Sequence, residues 1–348
     1  MLGAILCFGL IVFAHELGHF LSALWNKIPV EEFAMGMGPL LWTQEIKGIR
    51  YSLRLFPIGA FVRVVGEEDG TNLHDTEDSS GMDDTEKRAV YYGIPVGRRM
   101  AMAAAGPLFN FVLAVLLFFG IGIFSGIAND KPVIGTVSPG SIAESAGLES
   151  QDLLLSIDGT SLGSWSEAVY LINAAPEREI VVELDRLGET KALLMTPERS
   201  PEDGLGRIGI SVEIKRFDLP SSARIGLHNT LDAIGLFYSS IAGAIRTRQA
   251  PELVGPVGII QATGEFASSG LADLLWFMAF ISINLGVVNL LPIPPLDGAR
   301  LLLMGIEKLR GKPMNPEREG MIHMVGYICL IGLIVVVTFG DIWKIIRP

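Results

Sequence analysis

His15 and His19 stand four residues apart in the segment Ala14-His15-Glu16-Leu17-Gly18-His19-Phe20. On a helix that spacing turns both imidazoles to one side, one turn above the other. Two such rings can ligate one zinc ion, and Glu16 between them is placed to take a proton from a water at the metal. The flanks sharpen the reading, because Leu2 to Phe13 is apolar throughout and Phe20 to Trp25 nearly so. Three ionisable side chains inside one membrane-length apolar run are costly, which points to function rather than to histidines that merely pack on a helix face.

A third ligand is expected far along the chain. An apolar run over Leu271–Leu291 ends in Asn289-Leu290-Leu291-Pro292-Ile293-Pro294-Pro295-Leu296-Asp297-Gly298. The prolines cannot continue a regular helix, and unwound backbone at membrane depth is tolerated only inside protein or along a polar cavity. Asp297 is therefore expected as a carboxylate ligand on non-helical backbone, in preference to a simple cap for a helix over Gly298–Leu309.

The elements that must position these groups follow from composition and pattern. The 348 residues suffice for two or more folding units. Hydrophobic residues make up 49% and mean hydropathy is +0.44, which indicates a membrane protein, while a net charge of −11 argues against nucleic acid as a partner. Four spans are expected, at about Leu2–Trp25, Met100–Phe124, Leu271–Leu291 and Met321–Ile346. At about 1.5 Å per residue the first reaches about 36 Å, enough to cross a hydrocarbon core of about 30 Å with His15 past the midplane. It lacks a basic leader and a small-residue cleavage site, so it reads as a retained span rather than a signal peptide. Cys7 and Cys329 fall in spans and read as buried thiols.

Residues 33–66 read as a β-rich insertion with runs Pro39–Ile46, Arg50–Leu55 and Ala60–Val65; Arg50, Ser52 and Arg54 alternate with Tyr51, Leu53 and Leu55, the period of a half-buried strand. Glu67–Lys87 is an acidic, apolar-poor stretch read as a loop without chemistry, with His74 as a solvated residue in it. Residues 130–200 mix charges with short strand-like runs and read as a small soluble α+β domain. Phe217–Arg248 has one amphipathic helix face that could lie on a membrane, with His228 on its polar side. Arg98-Arg99 before the second span, and Lys308, Arg310 and Lys312 after the third, mark the cytoplasmic side. His323, at the edge of the fourth span, reads as interfacial rather than catalytic. The domain division is thus 1–129 (two spans, HExxH and hairpin), 130–216 (soluble domain), 217–270 (amphipathic connection) and 271–348 (two spans with Asp297).

With His-Glu-Leu-Gly-His in the first span, Asn-Leu-Leu-Pro-Ile-Pro-Pro-Leu-Asp-Gly after the third and a soluble module between, the chain resembles the site-2 protease family of intramembrane zinc metalloproteases, in the branch of the regulator of sigma-E protease (RseP). Ala105-Gly106-Pro107 with Asn110, and Gly255-Pro256-Val257-Gly258-Ile259, match recurring segments of that family. Pro132–Ser141 through Ile157-Asp158-Gly159 resembles one PDZ domain, where some members carry two. The chain also has Gly298-Ala299 and Gly59-Ala60 where the family often has paired glycines. The resemblance implies a polytopic α-helical membrane protein with a membrane-associated β-hairpin and one PDZ-like α+β domain. It further implies Zn²⁺ held by His15, His19 and Asp297, and Glu16 as the catalytic base. Substrate contacts are expected from Asn289, at the family's substrate position, and from Arg54, Leu55, Gly59, Phe61 and Val62 of the hairpin.

The implied substrates are single-span membrane proteins, such as shortened anti-sigma factors or remnant signal peptides, and the PDZ domain could take a peptide or protein ligand. The implied location is the bacterial inner membrane with the PDZ domain on its extracytoplasmic side. The competing readings are a membrane-anchored PDZ scaffold with a dead protease site, opposed by the intact His15, Glu16, His19 and Asp297, and a transporter, opposed by the absence of an evident inverted repeat.

Overall fold

The computed structural model describes residues 2–66, 90–128, 131–201, 203–247, 254–312 and 315–346; the acidic stretch with His74 lies outside them. The chain forms two compact units, residues 1–119 with 223–348, and residues 120–222.

Helix α1 (Leu2–Trp25) carries the HExxH segment and leads into β1 (Val30–Ile46) and β2 (Ile49–Val64), which pair antiparallel with several register shifts. The shifts arise because β2 doubles back around β1. Phe33 faces both Val62 and Tyr51, and Met35 faces both Ala60 and Leu53. Residues 50–53 are paired again to 42–45, so they lie inside the sheet, whereas residues 60–64 pair with 30–35 alone. Among the described residues no strand covers the other edge of 60–64.

This hairpin is inside out. Its buried side carries Glu32, which accepts from Ser52 Oγ at 2.6 Å and from Arg54 Nη2 at 3.2 Å. Arg54 also donates to the Gly38 carbonyl and lies over the Phe61 ring. Met35, Met37, Leu40, Leu41, Trp42, Leu53, Leu55 and Phe56 are exposed instead. A surface so apolar is unfavourable in water, and together with paired charges inside it describes a sheet set in lipid. Arg54, expected at the substrate, is instead an internal partner of Glu32: a guanidinium among apolar neighbours needs that carboxylate.

Helix α2 (Val96–Gly120) is the second span and runs on into a π-helical turn over Ile121–Ser125. Arg99, expected as one of two charges flagging the membrane edge, is 2% exposed. It bonds Glu307 and the Ile94 carbonyl and lies over the rings of Tyr91 and Tyr92.

The second unit contains β3 (Ile127–Ala128), β4 (Ile134–Val137), α3 (Ile142–Ser145), β5 (Leu153–Ile157), β6 (Thr160–Ser161), α4 (Trp165–Asn173), β7 (Ile180–Arg186), β8 (Glu189–Met195), β9 (Glu198–Arg199), β10 (Gly206–Arg207), β11 (Ile210–Val212) and β12 (Ile214–Lys215). Its four-stranded sheet runs β6-β5-β7-β8, and β4 pairs with β11. Ile134, Leu154, Ile180, Val182 and Leu184 fill one core. Ser164 caps α4 while Glu167 reaches back to the Gly163 amide, the reciprocal arrangement of a capping box shifted by one residue. Asp152, buried, grips Arg186 with both oxygens at 2.7 and 2.6 Å and raises its pKa. The unit begins and ends within about ten residues of the expected soluble domain, taking in the π turn on one side and the start of the next helix on the other.

The first unit resumes with α5 (Leu219–Thr247), α6 (Pro256–Ser269), α7 (Leu271–Asn289), α8 (Asp297–Arg310) and α9 (Pro316–Ile346). The expected connection over 217–270 is thus two helices. The Gly-Pro-Val-Gly segment is the start of α6: Pro256 opens its first turn, and Asp341 of α9 accepts from the amides of Gly255 at 3.2 Å and Gly258 at 2.9 Å. Among the described residues, four helices are long and apolar enough to cross a membrane: Ile5–Trp25, Val96–Ser125, Leu271–Asn289 and Arg318–Ile346.

Replacing Glu32 by leucine strands the Arg54 guanidinium inside the hairpin, and breaking a buried pair in this way costs about 3–5 kcal/mol. Thermal unfolding of the purified protein should show a marked drop for Glu32→Leu and recovery of most of it when Arg54→Met is added.

Candidate metal centre

Three ligand atoms converge. His15 Nε2 lies 3.1 Å from Asp297 Oδ2, His19 Nε2 lies 3.4 Å from the same oxygen, and the two nitrogens are 3.2 Å apart. A tetrahedron with ligand bonds of about 2.0–2.1 Å has edges of about 3.3–3.4 Å, so the triangle has the size of three vertices around one zinc ion, with the fourth open. Among the described residues these are the His, Cys, Asp and Glu side chains that form such a group. Asp297 was expected on unwound backbone. It is instead the first residue of α8, with Leu296 in the cap position and no side-chain cap, while the unwound stretch spans 290–296. The turn leaves its carboxylate for the histidines rather than for the helix amides.

The imidazoles are held from α2. His19 Nδ1 lies 2.9 Å from the Met102 carbonyl, which fixes the proton on Nδ1 and leaves Nε2 as the ligand nitrogen. His15 Nδ1 lies 3.1 Å from the Asn110 amide. The atom placed there is the amide nitrogen Nδ2, while Oδ1 is buried without a partner; exchanging the two ends of the amide lets Oδ1 accept the Nδ1 proton and directs the Nε2 lone pair inward in the same way. Asn110 is fully buried, and its own backbone carbonyl accepts from Ser282 Oγ of α7 at 2.8 Å. The close approach of α2 requires glycine: a Cβ at Gly106 would strike the His19 ring, and one at Gly18 would strike the Ala105 carbonyl.

A cavity of about 310 Å³ opens onto the centre. Glu16, His19 and Asp297 line it together with Phe61 and Val62 of β2 and with Arg300, His323 and Tyr327. Of the hairpin positions expected at the substrate, Phe61 and Val62 are therefore at the cavity. Leu55 is exposed on the apolar side, Gly59 lies within β2 at φ 90° against Met37, and Asn289 is half-buried at the end of α7. His323 is not interfacial: it is 4% exposed and faces this cavity. Asn110 at the ligands and His323 at the cavity were the positions hardest to place from sequence, although each is a polar residue within an apolar span.

Membrane-length helices around a two-histidine, one-carboxylate centre define a multi-pass membrane protein with the site architecture of a metallopeptidase. The chain belongs to peptidase family M50, the site-2 proteases, whose pattern matches residues 3–333. It is 33% identical to the zinc metalloprotease RasP of Geobacillus kaustophilus, over 98% of this chain and 97% of that one. It is 31% identical to the regulator of sigma-W protease RasP of Bacillus subtilis, again over 98% and 97%. Among solved structures, the PDZ domain of the SdrC-like protein from Listeria monocytogenes aligns at 18% identity over 25% of this chain and 90% of its own, with a TM-score of 0.22.

Removing the amide that orients His15 should weaken the metal without removing a ligand. For Asn110→Leu, zinc affinity measured by competition with a chelator should fall about 10–100-fold, while Asn110→Asp should keep most of it.

Proposed function

We propose that this protein is an intramembrane zinc metalloprotease that hydrolyses peptide bonds within transmembrane segments of single-span membrane proteins. The observation that carries the reading is the triangle of His15, His19 and Asp297, of which His19 and Asp297 line one cavity with Glu16. Zinc, when bound there, supplies Lewis-acid polarisation of the peptide carbonyl and makes water acidic enough to lose a proton near neutral pH. Glu16 takes a proton from the attacking water and returns it to the leaving amine nitrogen. Asn110 and the Met102 carbonyl keep both imidazoles turned inward. Phe61, Val62, Met102, Met324 and Ile328 give the cavity apolar walls that limit water to what the reaction uses.

An unwound substrate brings bare N–H and C=O groups, costly in lipid. The open edge of 60–64 can pair with them by strand addition, which grips backbone with little side-chain specificity. Since Phe61 and Val62 line the cavity, a strand added there would run past Glu16 and Asp297.

The ion pair of Arg99 with Glu307 draws the start of α2 to α8, so that exposed Arg98, Lys308 and Arg310 gather near one end of the spans. That end reads as cytoplasmic in a bacterial inner membrane, with the 120–222 unit, between spans two and three, as a PDZ-like domain on the extracytoplasmic side. The relative in B. subtilis, by its name a regulator of sigma-W, makes anti-sigma-factor-like proteins the substrates to try first.

The test is cleavage of such a single-span protein in reconstituted membranes. Glu16→Gln should keep stoichiometric zinc and lose turnover by several orders of magnitude; near-normal turnover would sink the assignment. His15→Ala should lose the zinc. Single prolines along Ala60–Val64 should cut cleavage at alternate positions, where the amide faces the open edge, with zinc content and melting temperature kept. Uniformly intact cleavage across that scan would rule out strand addition.

A further inference from the structure

Helix α9 gives little of its surface to the rest of the chain. Among its described side chains one alone is buried, and it is polar: His323, at 4% exposure. The apolar neighbours Met321, Met324 and Val325 are 56%, 53% and 55% exposed. In a lipid-facing helix the apolar residues have no reason to turn inward, whereas an imidazole does. Where it turns is specific. His323, with Met324, Tyr327 and Ile328, supplies the α9 wall of the cavity that contains Glu16, His19 and Asp297.

His323 is not part of the metal group, since the atoms that converge belong to His15, His19 and Asp297. Nor does the cavity lack a base, which is Glu16. What the ligands and Glu16 do not supply is a protein donor for the oxygen of the scissile peptide as it gains charge. A fixed N–H aimed at that oxygen in a water-poor site is among the largest single contributions to hydrolysis. His323 is a side-chain donor of the right type, and it reaches the cavity from a helix that carries neither the ligands nor the base.

We propose that His323 is a further catalytic residue: its imidazole N–H donates a hydrogen bond to the scissile carbonyl oxygen as negative charge builds there, and the proton stays on the ring throughout. The inference rests on the peptidase reading above.

The test uses the full-length protein reconstituted in membranes, with His323→Leu, His323→Phe and His323→Gln. Zinc is measured by elemental analysis, stability by melting temperature, and substrate affinity by binding of an uncleaved single-span substrate in a Glu16→Gln background. The leucine and phenylalanine variants should keep zinc, melting temperature and substrate affinity while kcat falls about 100–1,000-fold. Glutamine, which keeps an N–H donor, should recover part of that loss. Phenylalanine fills the ring's space, so it carries the test if leucine misfolds. Wild-type kcat in a folded leucine or phenylalanine variant overturns the proposal. So does loss of zinc, or a fall in substrate affinity that accounts for the lost activity, because His323 would then position other groups. A glutamine variant no better than phenylalanine overturns it too. If the wild type cleaves and these variants cleave equally, only this inference fails; if the wild type cleaves nothing, the peptidase reading fails with it.

Discussion

Two glycines facing each other across α1 and α2 set the distance on which the centre depends. Gly18 lies against the Ala105 carbonyl and Gly106 against the His19 ring, so the helices touch at backbone separation. In a bilayer, lipid tails compete with side chains for apolar contact, and close small-residue packing is one of the few ways to hold two helices in fixed register. Here the register is used directly. It brings the Met102 carbonyl to His19 and Asn110 to His15, and each bond fixes which nitrogen of the ring faces inward. Asn110 is in turn tied to α7 through Ser282. The chain of contacts from α1 through α2 to α7 therefore carries the geometry that Asp297 must meet.

The hairpin obeys the same rule in another form. Inside it Ser52 and Arg54 both donate to Glu32 Oε1, while Met37, Leu41, Trp42 and Phe56 face out. Because β2 wraps both sides of the first half of β1, residues 50–53 are enclosed and 60–64 are left at the rim, beside the cavity. Of the two edges this order leaves, 42–46 and 60–64, the second is the one whose Phe61 and Val62 line the cavity with His19 and Asp297.

Much of this was legible in the sequence. The HELGH spacing, the four apolar runs and the proline break before Asp297 are signals carried by neighbouring residues, and local periodicity reads them directly. The family resemblance supplied the hairpin's likeness and the PDZ-like domain. Side-chain roles set by distant partners were not legible. Arg99 reads as an edge charge until Glu307, 208 residues away, is brought to it. Arg54 reads as a substrate contact on an alternating strand, because the pattern gives the period but not which face is buried. His323 sits near the end of its span, where a histidine in water would be unremarked; only the packing of α9 turns it inward. Asp297 was placed on unwound backbone because the prolines mark the break but not the residue at which the next helix begins.

The separation of the ligands along the chain bears on how the molecule is made. His15, Glu16 and His19 are made before Asp297, which arrives only after the second span, the 120–222 unit and the third span have been produced. Until then the two histidines form an incomplete donor set. Because Asp297 lies beyond three of the four membrane-length helices, the three-residue donor set cannot be complete until those three have been made.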